Sequence, residues 1–449
     1  MTENTTDLDL TRYGSAIVLI LCVTMVLSVI AYGAVDTWAL ALLAFACTLI
    51  VWLWLAEAWK IKNFTFNASL VQIPIFGLIF LGLLQLLPLR GLDLSDVLSV
   101  SPSQTLTLDA YATKIAVIKL VVFLIYFAAA LTFIVTKKRF RRVVLTIILF
   151  GAAIAAFAVF QKLVNPENIY GLRETVQAHT FGPFVNGHHF AALMEMTMGL
   201  SFGLLYGKTV RKELRIIFGV GILLMGAAVI MTGSRGGILS VLGVLGFITI
   251  FNFLKKRTTQ TDAEEKAGGQ KKMIAIGGGL AFILLMTGIG LLLGGDTALR
   301  TIGIDSVGSD ISSGRLHFWS IALQIFRDNF LLGAGLDAFG VAFTRYDTWN
   351  GAFRVEQAHN DYLQILADAG IFGFLCVLGF ICLLFRRGLK TIATAADRFR
   401  NSAAIGALAG CFGVMIHSFF DFPLRTPANM LIFLTLAALA IVPVRSSRS

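Results

Sequence analysis

Apolar runs of about 20 residues recur along the whole of this chain, each long enough to cross the roughly 30 Å of hydrocarbon in a bilayer. No other feature narrows the fold as much, because backbone in lipid must be satisfied within helices or a closed barrel. The ten-residue alternation of a barrel is absent, so the expectation is an all-α polytopic membrane protein. Twelve spans are read, over 14–31, 37–57, 70–88, 115–135, 143–162, 190–207, 214–231, 236–254, 273–295, 364–385, 402–420 and 428–444. Composition agrees: 14% of the 449 residues are charged, against about 25% in a soluble chain. The first run follows a polar, acidic leader (Thr2 to Asp9) with no basic n-region and no small-residue cleavage site, so it is expected to be a retained helix.

The formal net charge of +11 would suit a nucleic-acid partner, but its placement does not. Of the 37 Lys and Arg residues, 25 fall in alternate connections that share a side with both termini, including Lys137–Arg142, Lys208–Arg215, Lys255–Lys272 and Arg386–Arg400. That bias assigns this side, and both termini, to the cytoplasm. The basic residues are therefore topology signals, and nucleic acid is not an expected partner. Lys255–Lys272 is polar, charged and rich in Gly and Thr, as a flexible cytoplasmic tether would be. The five cysteines all lie inside apolar runs without metal-ligand spacing and are expected to be small buried hydrophobes.

The opposite side carries the informative polar material: loops at 89–114 and 163–189, a turn at 232–236, the long segment 296–363 between spans nine and ten, and a turn at 421–427. With no soluble domain and no internal repeat, residues 1–449 are expected to form one integral domain. In the long segment, Ser312 or Ser313 is expected to cap a helix running to about Asp328, with Leu316, Trp319, Leu323 and Phe326 on one face and His317, Ser320, Gln324 and Arg327 on another. Gly333 and Gly335 break it, and a second short helix is expected over about Leu336–Tyr346. The two make a helical lid whose polar link, Asp347 to Gln357, delivers His359 to the start of span ten.

Several side chains on this face are candidates for chemistry. Thr232-Gly233-Ser234-Arg235-Gly236-Gly237 forms a tight hairpin where span eight begins. Glycines let an anion approach the backbone, and free N–H groups at a helix start favour phosphate. Arg235 adds a permanently charged fork; alone, it reads equally as an arginine snorkelling at a helix end. Arg315 poses the same alternative, and two arginines together suit a pyrophosphate. His359 is matched to proton transfer near neutral pH, with Glu356 three residues before it as a candidate to orient it; the alternative is a histidine satisfying a helix start. Asn360 and Asp361 follow with hydrogen-bonding groups for sugar hydroxyls or helix ends. His188, His189 and Glu195 mark the start of span six, and an intramembrane carboxylate is a functional candidate by default, or else one half of a buried pair with Lys119. His417, Asp421 and Arg425 gather at the last turn, either lining the same cavity or pairing with one another. No metal site is expected, since the face holds neither His-x-x-x-His nor Asp-x-Asp, and no cofactor is implied. Ser234 lacks the strand context of a hydrolase nucleophile elbow.

These features resemble the bacterial O-antigen ligase and O-antigen polymerase superfamily. The resemblance rests on Gly-Ser-Arg-Gly-Gly after span seven, Gly-Arg-x-x-x-Trp in the large loop before span ten, and Ala-His-Asn-Asp-Tyr-Leu-Gln at its start. It covers most of the chain and is strongest from about 180 to 375. It implies a GT-C-like membrane glycosyltransferase in the inner membrane that acts at the periplasmic face on an undecaprenyl-pyrophosphate-linked glycan. The acceptor would be lipid A-core or another glycan or glycolipid. By the same resemblance Arg235 and Arg315, with Ser234 and Gly236 beside them, match the donor-pyrophosphate site, and His359 the base or acceptor-positioning group. The chemistry expected is a metal-independent, inverting transfer. A polymerase of the same superfamily is the nearest alternative, and a twelve-span transporter a more distant one, disfavoured by the short link between spans six and seven.

Overall fold

The computed structural model describes residues 11–89, 104–165, 168–174, 179–257, 314–349 and 355–444; for 252–257 it describes the backbone only. The span expected at 273–295, most of the 255–272 tether, and Ser312 and Ser313 lie outside these residues. Among the described residues there are thirteen α-helices. They are α1 (Arg12–Ile30), α2 (Thr37–Ile61), α3 (Ile73–Gln85), α4 (Ala110–Phe133), α5 (Lys137–Val164), α6 (Gly187–Tyr206), α7 (Arg215–Met231), α8 (Arg235–Arg257), α9 (Arg315–Asp328), α10 (Phe339–Phe343), α11 (Asp361–Thr394), α12 (Arg398–His417) and α13 (Pro427–Ile441). A two-residue strand pair, β1 (Asn168–Ile169) with β2 (Arg173–Glu174), completes the regular structure.

Among the described residues, seven helices are long and apolar enough to cross a membrane: α1, α2, α4, α5, α7 with the turn before it, α11 and α12. The apolar helical stretches Leu70–Gln85, Arg235–Phe251 and Pro427–Ile441 are shorter. Phe45, Trp52, Trp59 and Phe80 are each more than half exposed, an arrangement that suits a hydrocarbon surround and not water. The chain is a polytopic, all-α membrane protein. Cys22, Cys47 and Cys411 are buried as expected, but Cys382 is exposed and Cys376 is intermediate. Both sit on α11, where an apolar run carries a surface-facing stripe as well as a buried one.

The chain divides into two compact units. One comprises Met1–Thr146, Ser312–Thr394 and Ser418–Ser449; the other comprises Ile147–Ile311 and Ala395–His417.

In the first unit α11 packs on α3 and α13, and α4 does the same. Helix α11 breaks at Gly370, whose φ of +62° is open to glycine at little cost. The break frees the carbonyls of Ala367 and Asp368, which must find donors away from water. The loop after α9 supplies them: Ala334 N donates to Ala367 O at 2.8 Å and Gly335 N to Asp368 O at 3.0 Å, while Gln85 Nε2 reaches Asp368 O at 2.9 Å. Gly333 makes this fit possible. A Cβ there would lie 2.3 Å from the Asp368 carbonyl carbon, at a φ of +75°. Gly333→Ala is therefore expected to destabilise the unit by about 2 kcal/mol or more through overlap and backbone strain. The loss should appear as a lower melting temperature in detergent.

The lid helix differs from expectation. Its N-cap is Gly314, in a left-handed conformation without a side-chain cap bond. Its buried stripe is Ile321, Ala322 and Ile325, with Phe318 alongside, whereas Leu316 and Leu323 are exposed. The stripe packed inside the unit is thus a second apolar face beside the one read from the sequence. Two apolar stripes share this helix, and contacts with α10 and α11 select the one with smaller side chains. The second lid helix is present but shorter than expected, at five residues.

In the second unit α6 and α12 cross at Gly199, Gly203, Gly406 and Gly410. A Cβ on Gly199 would lie 2.7 Å from Gly410 N, and one on Gly203 would lie 2.6 Å from the Gly406 Cα. Each helix presents Gly-x-x-x-Gly at the crossing, a spacing that brings helix backbones together in membranes. Helix α8 packs on both.

Candidate functional site

In the first unit the site is built from the start of α11. Asn360 caps this helix: its Oδ1 accepts from Tyr362 N at 3.0 Å and Leu363 N at 3.1 Å, and its Nδ2 donates to Phe419 O at 3.1 Å. Gln364 accepts from Ala358 N at 2.6 Å and donates to Asp368 at 3.1 Å. These bonds pin the turn from both sides and hold His359 at a φ of +51°, a conformation that costs free energy in a residue with a Cβ.

His359 Nδ1 lies 3.3 Å from Asp421 Oδ1. The Asp421 side chain is 2% exposed, while the imidazole keeps a third of its surface accessible. Phe422 meets the ring edge-on at 5.0 Å, and Phe318 lies nearly parallel at 6.1 Å. The orienting carboxylate is thus Asp421; Glu356, the sequence candidate, is exposed.

Arg425 forms the second part of this cluster. Its guanidinium donates to Asp337 through Nη1 and to Asp368 through Nη2. Lys119 joins from α4, its Nζ 3.3 Å from Asp337. The Asp361 carboxylate accepts from Ser418 Oγ at 2.9 Å. Burial alone would weaken the Arg425 charge, but Asp337, Asp368 and Asp361 more than reverse that and raise its pKa. Burial pushes the Asp337 carboxyl up, yet Arg425 and then Lys119 outweigh it and hold the group below the ordinary carboxylate range. Lys119, offered by the sequence as a partner for Glu195, belongs to Asp337.

Arg315 lies in the first turn of α9, partly exposed, and has no carboxylate partner among the described residues. Two residues on, His317 stacks on Trp349 with ring centroids 4.3 Å apart and shares a 3.0 Å bond with Asp347.

In the second unit, Arg235 opens α8 and Ser234 caps it, with Ser234 Oγ accepting from Gly237 N at 3.1 Å. Gly236 is buried in the first turn, its carbonyl accepting from Ser240 at 2.7 Å. Ser234 Oγ is also 3.3 Å from His417 Nε2, and His417 Nδ1 is 3.1 Å from Glu195 Oε2. Asn186 caps α6, accepting from His188 N at 2.9 Å, and its amide lies 3.4 Å from His189 Nε2.

The predicted residues therefore fall into two groups. His359, Asn360, Asp361, Asp421 and Arg425 gather in one unit, with Arg315 on the lid helix. Ser234, Arg235, Gly236, His188, His189 and Glu195 lie in the other. His417 is bonded to Glu195, Asp421 to His359, and Arg425 to Asp337 and Asp368. Asp337 and Asp368 were not singled out from the sequence. Asp368 carried a usable signal, being a carboxylate inside an apolar run.

Taken together, the fold and these groups define a polytopic membrane protein in which arginines, an oriented imidazole and a left-handed turn sit at helix starts. Residues 220–378 match the family described as O-antigen ligase. The match contains Arg235, Arg315 and His359 but stops short of Asp421 and Arg425. No curated protein matches the chain.

Proposed function

We propose that the protein transfers a glycan from an undecaprenyl-pyrophosphate carrier to a glycan or glycolipid acceptor at the periplasmic face of the inner membrane, as an O-antigen ligase does. The observation that carries this reading is the His359–Asp421 pair. A carboxylate on Nδ1 fixes the tautomer in which that nitrogen bears the proton, leaving Nε2 as the basic nitrogen. An acceptor hydroxyl meeting Nε2 would lose its proton as the hydroxyl oxygen attacks the anomeric carbon from the face opposite the leaving group, inverting it. The bond that breaks joins that carbon to the pyrophosphate oxygen, and the lipid pyrophosphate departs as an anion. Arg235 and Arg315, both within the matched segment, are proposed as donor-phosphate ligands, since a cation at a donor phosphate stabilises charge developing on the leaving oxygen. Fixed cations do this without a metal ion.

The charge bias of the connections supports the orientation, with both termini in the cytoplasm. In the first unit a groove of about 570 Å³ between α3 and α11, lined by Ile73, Phe80, Leu84, Phe372 and Leu375, offers an apolar surface suited to a polyprenyl chain.

The test is transfer in vitro from a defined undecaprenyl-pyrophosphate glycan to candidate acceptors, scored by product size. A single addition of a preformed chain is the expected result, and a ladder of products would make the enzyme a polymerase. Arg235→Ala is expected to raise the donor KM and to cost about 10²–10³-fold in kcat/KM, the scale of losing one preorganised charge-stabilising group, and activity should persist in EDTA. Full activity in Arg235→Ala, or its abolition by EDTA, would overturn the mechanism.

A further inference from the structure

Three buried polar side chains in the second unit are not used by the reaction described above. Glu195 on α6, His417 at the end of α12 and Ser234 before α8 are each at most 1% exposed, and they form one hydrogen-bonded chain. Burying three such groups is unfavourable unless each is bonded, and here each link crosses between helices. The glycine crossing of α6 and α12 brings Glu195 and His417 within reach, because backbones this close leave room for short links between side chains. Gly237 extends the same close packing to α8, since a Cβ there would lie 2.8 Å from the Ala191 Cβ on α6.

The chain ends on the cap of α8. Ser234 Oγ accepts from Gly237 N while it bonds His417 Nε2, so the hydroxyl is fixed from two directions. With Nδ1 donating to Glu195, His417 presents an unprotonated Nε2 to the serine hydroxyl, which leaves the serine lone pairs for the helix N–H. Arg235 is the next residue. Its backbone leaves the cap in a direction set by this chain, and its side chain starts from there.

We propose that Glu195, His417 and Ser234 are positioning residues that clamp the first turn of α8 and thereby aim Arg235 at the anionic group of the donor. The proposal rests on the reading of Arg235 as a donor-phosphate ligand. Ser234 is not assigned a nucleophilic role, since its oxygen is sealed from solvent and already accepts from the backbone.

The full-length protein in nanodiscs tests this with two measurements. In transfer assays at varied donor concentration, Ser234→Ala and His417→Ala are expected to raise the donor KM at least about fivefold with a smaller change in kcat. In the Arg235→Ala background the same substitutions should have no further effect, as residues acting through one group are not additive. Independent, fully additive losses would overturn the proposal, as would a loss of kcat with donor KM unchanged. The second measurement is hydrogen exchange of the backbone amides over 234–238, which is expected to speed up at least about tenfold in His417→Ala. Should His417→Ala fail to fold, Ser234→Ala, which removes one hydroxyl, carries both readouts. If Arg235→Ala leaves donor KM unchanged, the phosphate role of Arg235 fails, and exchange still decides on the clamp: unchanged protection refutes it.

Discussion

His359→Ala is expected to slow glycan transfer by about 10²–10⁴-fold, the range lost when a positioned general base is removed. The melting temperature should change little, because the imidazole is a third exposed and its bonds lie at one edge of the turn. His359→Asn refines the result. Its amide is able to bond Asp421 but does not take a proton, so an equally inactive variant points to base catalysis, and substantial recovery points to positioning alone. Asp421→Asn should fall between, at roughly tenfold or more, because the ring is still held while the preference for the tautomer with a basic Nε2 is weakened. Glu356→Gln is the control from the neighbouring exposed position and should be near neutral. If His359→Ala retains full transfer with a correctly folded protein, the proposed mechanism fails even though the match of residues 220–378 stands.

How far the sequence foretold this arrangement depends on the range of the interaction. Helices set by local apolarity were legible: eleven of the twelve expected segments fall on helices, seven of the described helices are long and apolar enough to cross a membrane, and the segment expected at 273–295 lies outside the described residues. His359 was legible because it closes a run of polar residues just before a helix. Its partner was not. Glu356 is three residues away and Asp421 is sixty-two, and nothing local ranks the distant carboxylate above the near one. Glu195 repeats the lesson, since its histidine lies 222 residues along the chain and Lys119 was an equally good guess by type. A pairing signal did exist in the Gly-x-x-x-Gly spacings of α6 and α12, which say that these helices approach closely. The lid helix was legible as a helix, but its packed stripe was not. Apolar residues occupy two of its faces, so periodicity alone does not say which one packs.

Arg425→Ala should have the largest effect on the fold itself. The guanidinium is the shared partner of Asp337 and Asp368, and the Asp368 side chain is fully buried. Removing one member of a buried ionic cluster leaves the remaining charges uncompensated, which costs about 3–5 kcal/mol. The variant is expected to melt well below the parent in detergent at pH 7. Arg425→Lys should recover part of the loss, since one ammonium does not reach both carboxylates in the manner of the guanidinium fork. Lowering the pH separates this cause from simple loss of packing. In the parent, Asp337 is held below its unfolded value, so its contribution is complete above that value and is lost as pH falls through the depressed folded value. Without Arg425, burial of Asp337 is opposed by Lys119 alone, and the carboxyl is expected to take up a proton more readily. Acidification from pH 7 towards pH 4 should therefore narrow the stability gap between parent and variant. A gap that stays constant over that range would assign the loss to packing around the Arg425 stem, and the acidic residues would then be passive neighbours of the site.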